Sequence, residues 1–192
     1  MMCFCRVGYK PNIAKNEKYC SCHFDDTLLP YDSERYYIIN EIKKGNPKII
    51  FYAILRKLRI LNHERFAECL YNEMKNKDLS LFVDKLFADI NQDIVHEVLS
   101  YKEASTELIL LSASPSCYIK PIAERLNFIG YGSGYFEGTF SHLYADNKAL
   151  FIQKNYPKTE YRYKFSISDS ETDLRLLRLF DTYQLIPKKK QK

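Results

Sequence analysis

The strongest constraint on this chain is the run Tyr19–Phe24, followed at once by Asp25, Asp26 and Thr27. It is short and largely apolar, with charge just upstream and two carboxylates just downstream. That pattern is the signature of a strand buried on both faces and ending at a site. Open α/β sheets bind ligands beyond the carboxyl ends of their strands. Adjacent carboxylates followed by a hydroxyl suit a hard cation and an anionic group. An Asp-Asp-Thr turn that merely starts a helix has the same local chemistry, so the reading needs support from other segments.

Three later segments supply it. Leu108–Ser114 is an apolar strand ending in hydroxyls, Ser112 first. Asn147-Lys148-Ala149-Leu150 puts a lysine at the start of a helical pattern. The strand Tyr161–Ile167 runs into Ser168-Asp169-Ser170-Glu171-Thr172-Asp173, which opens a further helix. Asp169 and Asp173, four residues apart near a helix start, can serve one cation together or stabilise the helix dipole.

In order and spacing these segments resemble the four motifs of the haloacid dehalogenase superfamily, in its phosphoserine phosphatase-like branch. The likeness runs from about Lys18 to Pro187. It implies a magnesium-dependent phosphatase of a small phosphate monoester. Asp25 would be general acid/base and Thr27 would orient the acidic turn. Ser112 and Lys148 would hold the phosphoryl group. Asp169 and Asp173, with Asp25, would serve the metal. One position departs from the pattern. With the register fixed on Thr27, His23 stands where the family has its nucleophilic aspartate, and Asp26 takes a position usually held by glycine. An imidazole can attack phosphorus, but it carries no carboxylate to anchor magnesium. The resemblance therefore implies weakened or lost turnover. Its alternative is a catalytically inactive phosphate- or partner-binding protein that keeps the fold.

Composition bounds the reading. A chain of 192 residues, 46% hydrophobic, fits a core domain with a small cap. The net charge of +5 favours an anionic ligand without identifying nucleic acid, for which no motif is present. No apolar run is long enough to span a membrane, and the start lacks a signal-peptide core. The six cysteines then read as thiols of a cytoplasmic protein. Cys3, Cys5, Cys20 and Cys22 form Cys-x-Cys pairs, narrower than the usual zinc spacing; in a strand, Cys20 and Cys22 share a face and read as packing.

Residues 1–17 show no clear period. From Asp32 to about Lys102 the pattern is helical. Ser33 is expected to cap the first helix, and Gly45-Asn46-Pro47 ends it. Ile49, Ile50, Ala53, Ile54 and Leu58 form a stripe expected to face a core. Asn62 caps a third helix carrying Phe66, Leu70 and Met74. Leu79 to Phe87 and Ile90 to Val98 mark two more. Ser116–Arg125 follows the second strand, with Ser114-Pro115 as its expected cap and first turn. Gly130, Gly132, Gly134 and Gly138 punctuate a Tyr/Phe-rich hairpin. A short last strand lies within Asp181–Ile186, and the lysines from Lys188 onward form a basic tail.

The expected architecture is a doubly wound, mainly parallel α/β sheet of about five strands with the first strand central. Residues 1–31 and 103–192 are its core, and 32–102 a helical cap whose inward Tyr and Phe residues meet the leaving group.

Overall fold

The computed structural model describes residues 17–187. The Cys3/Cys5 pair, residues 1–16 and the lysine tail lie outside that range. The strand β1, Glu17–His23, is followed by five helices: α1 Ser33–Lys43, α2 Pro47–Lys57, α3 His63–Met74, α4 Ser80–Ala88 and α5 Gln92–Ser100. Then come β2 Thr106–Pro115, α6 Ser116–Arg125, the hairpin β3 Ile129–Phe136 and β4 Thr139–Ser141, and α7 Asp146–Asn155. The chain closes with β5 Tyr161–Ser168, the short α8 Leu174–Leu177 and β6 Thr182–Leu185.

The six strands form one sheet in the order β4-β3-β2-β1-β5-β6. The first strand is central and pairs in parallel with β2 and β5; only the β3–β4 pair is antiparallel. This is the expected doubly wound α/β sheet, with the hairpin strand and β6 as its two edges.

Strand alternation sorts the core into two layers. Cys20 and Cys22, with Leu108, Leu110, Phe165 and Ile167, pack against Leu70, Met74, Leu86, Val98, Ile119 and Ile122. Tyr19, Ile109, Leu111 and Tyr163, on the opposite face, pack against Ala149, Ile152, Leu176 and Phe180. The two thiols are therefore packing atoms, as their spacing predicts, and both are free. On this second face Tyr19, Ser21 and His23 point toward α7 and α8.

Several helices start where their capping chemistry says, but α1 and α6 depart from the caps the sequence suggests. Asn62 Oδ1 accepts from the Arg65 amide at 2.8 Å, and Asn46 caps α2 with Pro47 in its first turn. The cap of α1, however, is Asp32, which accepts from the Arg35 amide at 2.8 Å. Ser33 is turned inward instead. Likewise Ser114 does not cap α6; Pro115 precedes that helix without a side-chain cap bond. Both serines serve the site described below. The α2 stripe is a third difference. Ile49 is the one buried residue of that helix, and Ile54 and Leu58 are 50% and 63% exposed.

The hairpin glycines act in two ways. Glu137 and Gly138 both have positive φ, 50° and 82°, the geometry of a tight two-residue turn. Gly132 lies within the strand, where a Cβ would stand 2.5 Å from the Ser114 carbonyl oxygen. Its missing side chain lets β3 close against the end of β2, which holds the site serines in place.

Candidate functional site

His23, Asp25, Ser112, Lys148, Asp169 and Asp173 line one cleft at the carboxyl ends of the central strands, with Asp26, Tyr144, Ser170 and Thr172 beside them. The cleft has a volume of about 140 Å³, below the few hundred cubic ångströms typical of pockets that enclose whole drug-sized ligands. It is the size of a ligand's head group. Thr27 is buried just behind the lining.

The acidic turn is built by the backbone. Over Phe24–Leu28 the chain makes a wide turn, closed by the Leu29 amide donating to the Phe24 carbonyl at 2.9 Å. Asp26 sits at φ 54°, ψ −2°, a left-handed conformation that favours glycine and tolerates aspartate. This supports the register that assigns Asp26 to a glycine position. Thr27 Oγ1 accepts from the Asp169 amide at 3.1 Å and donates to Asp169 Oδ1 at 3.2 Å, tying the turn to the end of β5.

Asp25 is held by hydroxyls. Its Oδ1 accepts from the Ser33 amide at 2.8 Å and from the Ser33 hydroxyl. Its Oδ2 accepts from Ser112 Oγ at 2.9 Å and Ser114 Oγ at 2.7 Å. Ser112 Oγ in turn accepts from the Ser114 amide at 3.0 Å.

On the other side of the cleft, three ionisable groups are buried together. His23, Lys148 and Asp173 are 2%, 7% and 2% exposed. His23 Nδ1 lies 2.6 Å from Asp173 Oδ2, the shortest contact of the group, so Nδ1 carries the proton and donates to that carboxylate. Lys148 Nζ and Ser168 Oγ also donate to Asp173 Oδ2, at 3.1 and 2.9 Å. Burial, reinforced by the Lys148 charge, pushes the imidazole below its ordinary pKa despite Asp173. Burial would raise the Asp173 carboxyl, but the imidazole and Lys148 outweigh it and hold the group below the usual carboxylate range. His23 Nε2 and Asp173 Oδ1 remain buried without a hydrogen-bond partner among the described residues. Each such orphan costs about 1–3 kcal/mol, and strain of this kind concentrates at functional sites.

The expected metal set is not assembled. Among the described residues no three His, Cys, Asp or Glu side chains gather as ligands. Magnesium needs a near-octahedral shell of hard oxygens. Here Asp25 is turned to serines, Asp173 faces a lysine and an imidazole, and position 23 offers nitrogen. As placed, these residues do not fit a resident magnesium ion, because too few hard oxygens are free to surround it.

Sequence reasoning missed Ser33, Ser114 and Ser168 as site residues, reading the first two as helix caps. It also missed Tyr144 at the cleft. No residue of 32–102 lines the cleft. That segment reaches its neighbourhood through Ser33 and through His63, whose ring packs at 4.7 Å from His142 and 4.9 Å from Tyr144.

A family model described as haloacid dehalogenase-like hydrolase matches residues 22–178. None of the curated proteins compared matches the sequence. Among solved structures, a protein of unknown function from Bordetella pertussis Tohama I aligns with TM-score 0.63 and 16% identity, over 88% of this chain and 89% of that one. A probable phosphoserine phosphatase from Vibrio cholerae aligns with TM-score 0.55 and 12% identity, over 91% of this chain and 58% of that one. Phosphoserine phosphatase from T. onnurineus gives TM-score 0.53 at 14% identity, covering 95% and 92%. At such identities the likeness is one of fold. Among the described residues no helix is long and apolar enough to cross a membrane.

Proposed function

Because this chain belongs to the haloacid dehalogenase-like hydrolases, we propose that it binds a small phosphate monoester in this cleft and hydrolyses it far more slowly than a family member with an aspartate nucleophile. The observation that carries the reading is the buried His23–Asp173–Lys148 group. In this reading Lys148 and Asp173 are the family's lysine and acid, around a position whose nucleophile has been replaced.

In this reading the phosphoryl group meets Lys148, whose ammonium offsets its charge, and the Ser112 hydroxyl. Asp25, positioned by Ser33, Ser112 and Ser114, is the group that exchanges a proton with the leaving oxygen, while water, in place of a protein carboxylate, attacks phosphorus as the ester P–O bond breaks. Asp173 and Ser168 fix the His23 ring. Thr27 and Asp169 hold the acidic turn to β5. In this reading the insert 32–102 is a cap that borders the site without lining it, and its helices also pack against the sheet through Leu70, Met74, Leu86 and Val98; Tyr144 faces the ester's organic part. Magnesium binding is weak, because Asp169 lacks the carboxylate partner that position 23 would supply. The abundance of free thiols supports a cytoplasmic setting.

A second reading, binding without turnover, is favoured by one observation: both Asp25 oxygens are already saturated by donors from three serines. The experiment compares turnover of an aryl phosphate by the wild-type protein and by His23→Asp at matched magnesium. The expected result is slow wild-type turnover that rises by about two or more powers of ten in the variant, together with tighter magnesium binding. Vigorous wild-type activity abolished by the substitution would overturn this and make the imidazole the nucleophile. No gain in a folded variant would establish the binding-only reading.

A further inference from the structure

The helix α2 and the turn after it present a face that neither the fold nor the cleft uses. Phe51, Ile54 and Leu58 recur at the spacing of one helical side and are 56%, 50% and 63% exposed. The chain then leaves the helix through Arg59, at φ 60°, and the turn leaves Ile60 65% exposed. Ile49, on the opposite side, is the residue that anchors α2 to the core. A stripe of large apolar side chains facing solvent marks a contact surface rather than scattered exposure.

Charge identifies what covers it. From Ile42 to His63 the chain carries Lys43, Lys44, Lys48, Arg56, Lys57 and Arg59 and no acidic residue. Lys44 pairs with Glu41 and Lys48 with Glu73. The other four have no ion-pair partner among the described residues. On the helical wheel, Lys48 and Lys57 flank the apolar stripe on either side. An exposed apolar stripe between lysines matches a helix lying in the headgroup layer of a bilayer. It does not match a two-fold contact with a second copy, which would bring like charges together.

We infer that α2 and its C-terminal turn dock this protein onto an anionic lipid surface. Phe51, Ile54, Leu58 and Ile60 enter the headgroup boundary, while Lys43, Lys57 and Arg59 meet lipid phosphates. The association is peripheral, and it stands independently of what the cleft does.

Flotation of the full chain with vesicles tests it. Binding to phosphatidylcholine vesicles containing phosphatidylglycerol, weak on phosphatidylcholine alone and falling with added salt, is the expected result. Phe51→Ser with Leu58→Ser, and separately Lys57→Glu with Arg59→Glu, each lower the partition by about tenfold or more. Circular dichroism and the melting temperature stay unchanged, because these side chains are exposed. No binding to anionic vesicles at low salt overturns the inference, as does binding that both variants retain. A concentration-dependent dimer in light scattering, abolished by the Phe51/Leu58 variant, would assign the face to a second copy instead.

Discussion

At position 23 a neutral imidazole is wedged between a carboxylate and an ammonium in a site almost closed to water. Such a group is held by mutual compensation, so removing one charge exposes the others. Asp173→Asn leaves Lys148 buried without its counter-ion and weakens the acceptor for His23 Nδ1. It is expected to lower stability by about 3–5 kcal/mol in chemical denaturation, far more than a surface Asp→Asn change. A loss within a few tenths of a kcal/mol would mean that solvent reaches Lys148. At this scale the sequence was legible where a polar residue directly follows a strand or opens the helix beyond it. Lys148, Asp169, Asp173, Ser112 and Asp25 all line the cleft. Serine has many tasks. Ser33 and Ser114 stand beside helix starts, where capping is the ordinary role, and only three-dimensional closure shows that both donate to Asp25.

Among the elements, the acidic turn carries a conformational demand. Asp26 lies in the left-handed region, where a β-branched side chain clashes with the following carbonyl. Asp26→Val is expected to cost about 1–3 kcal/mol and to disturb the Thr27–Asp169 bonds, whereas Asp26→Gly is expected to be nearly neutral. Equal melting temperatures for the two variants would contradict the left-handed geometry. Strands and helices were legible because burial leaves a pattern: a short run buried on both faces in β1, from Tyr19 to His23, and a period of 3.6 in α3. The same logic misread α2. Periodicity reports that a helix has an apolar side, and it does not say which side meets the protein's own core. Ile54 and Leu58 satisfy the pattern while facing outward.

Over the whole molecule, buried histidines and buried carboxyls pull the response to acid in opposite directions. Burial, aided by His63 and Lys148, pushes the His142 imidazole down from 6.5 to about 4, and burial also lowers His23 and His63. All three are favoured neutral in the folded chain. The unfolded chain takes up their protons near pH 6.5, so the stability they contribute is full above that pH and is lost as pH falls toward 4. His142 alone accounts for roughly 2 kcal/mol lost by pH 5. Glu34, pushed up to about 8 by burial and the neighbouring Asp32 and Asp25, works the other way, because the folded chain favours its neutral form and gains stability as pH falls toward 4.5. The histidine contribution is therefore read as a difference: the melting temperature of His142→Gln is expected to gain on that of the wild type as pH falls from 7 to 5. Asp173 acts lower on the scale, supporting the fold above its ordinary value of 3.8 and releasing that support in stronger acid. A difference between the two melting temperatures that stays constant through this range would contradict the buried neutral imidazole of His142.

The position of β1 has a consequence for synthesis. The strand at the middle of the sheet is the first made, yet its neighbours, β2 and β5, follow only after five helices and after most of the chain respectively. A ribosome therefore delivers β1 long before anything can zip onto either of its edges. During that interval Tyr19, Cys20 and Cys22 are exposed on a ribbon with two open hydrogen-bonding rims, a state prone to pair with a stranger. Contacts so distant along the chain also make closure of the sheet slow. The yield of native protein in a cell is thus governed by how well that waiting strand is shielded until β5 arrives.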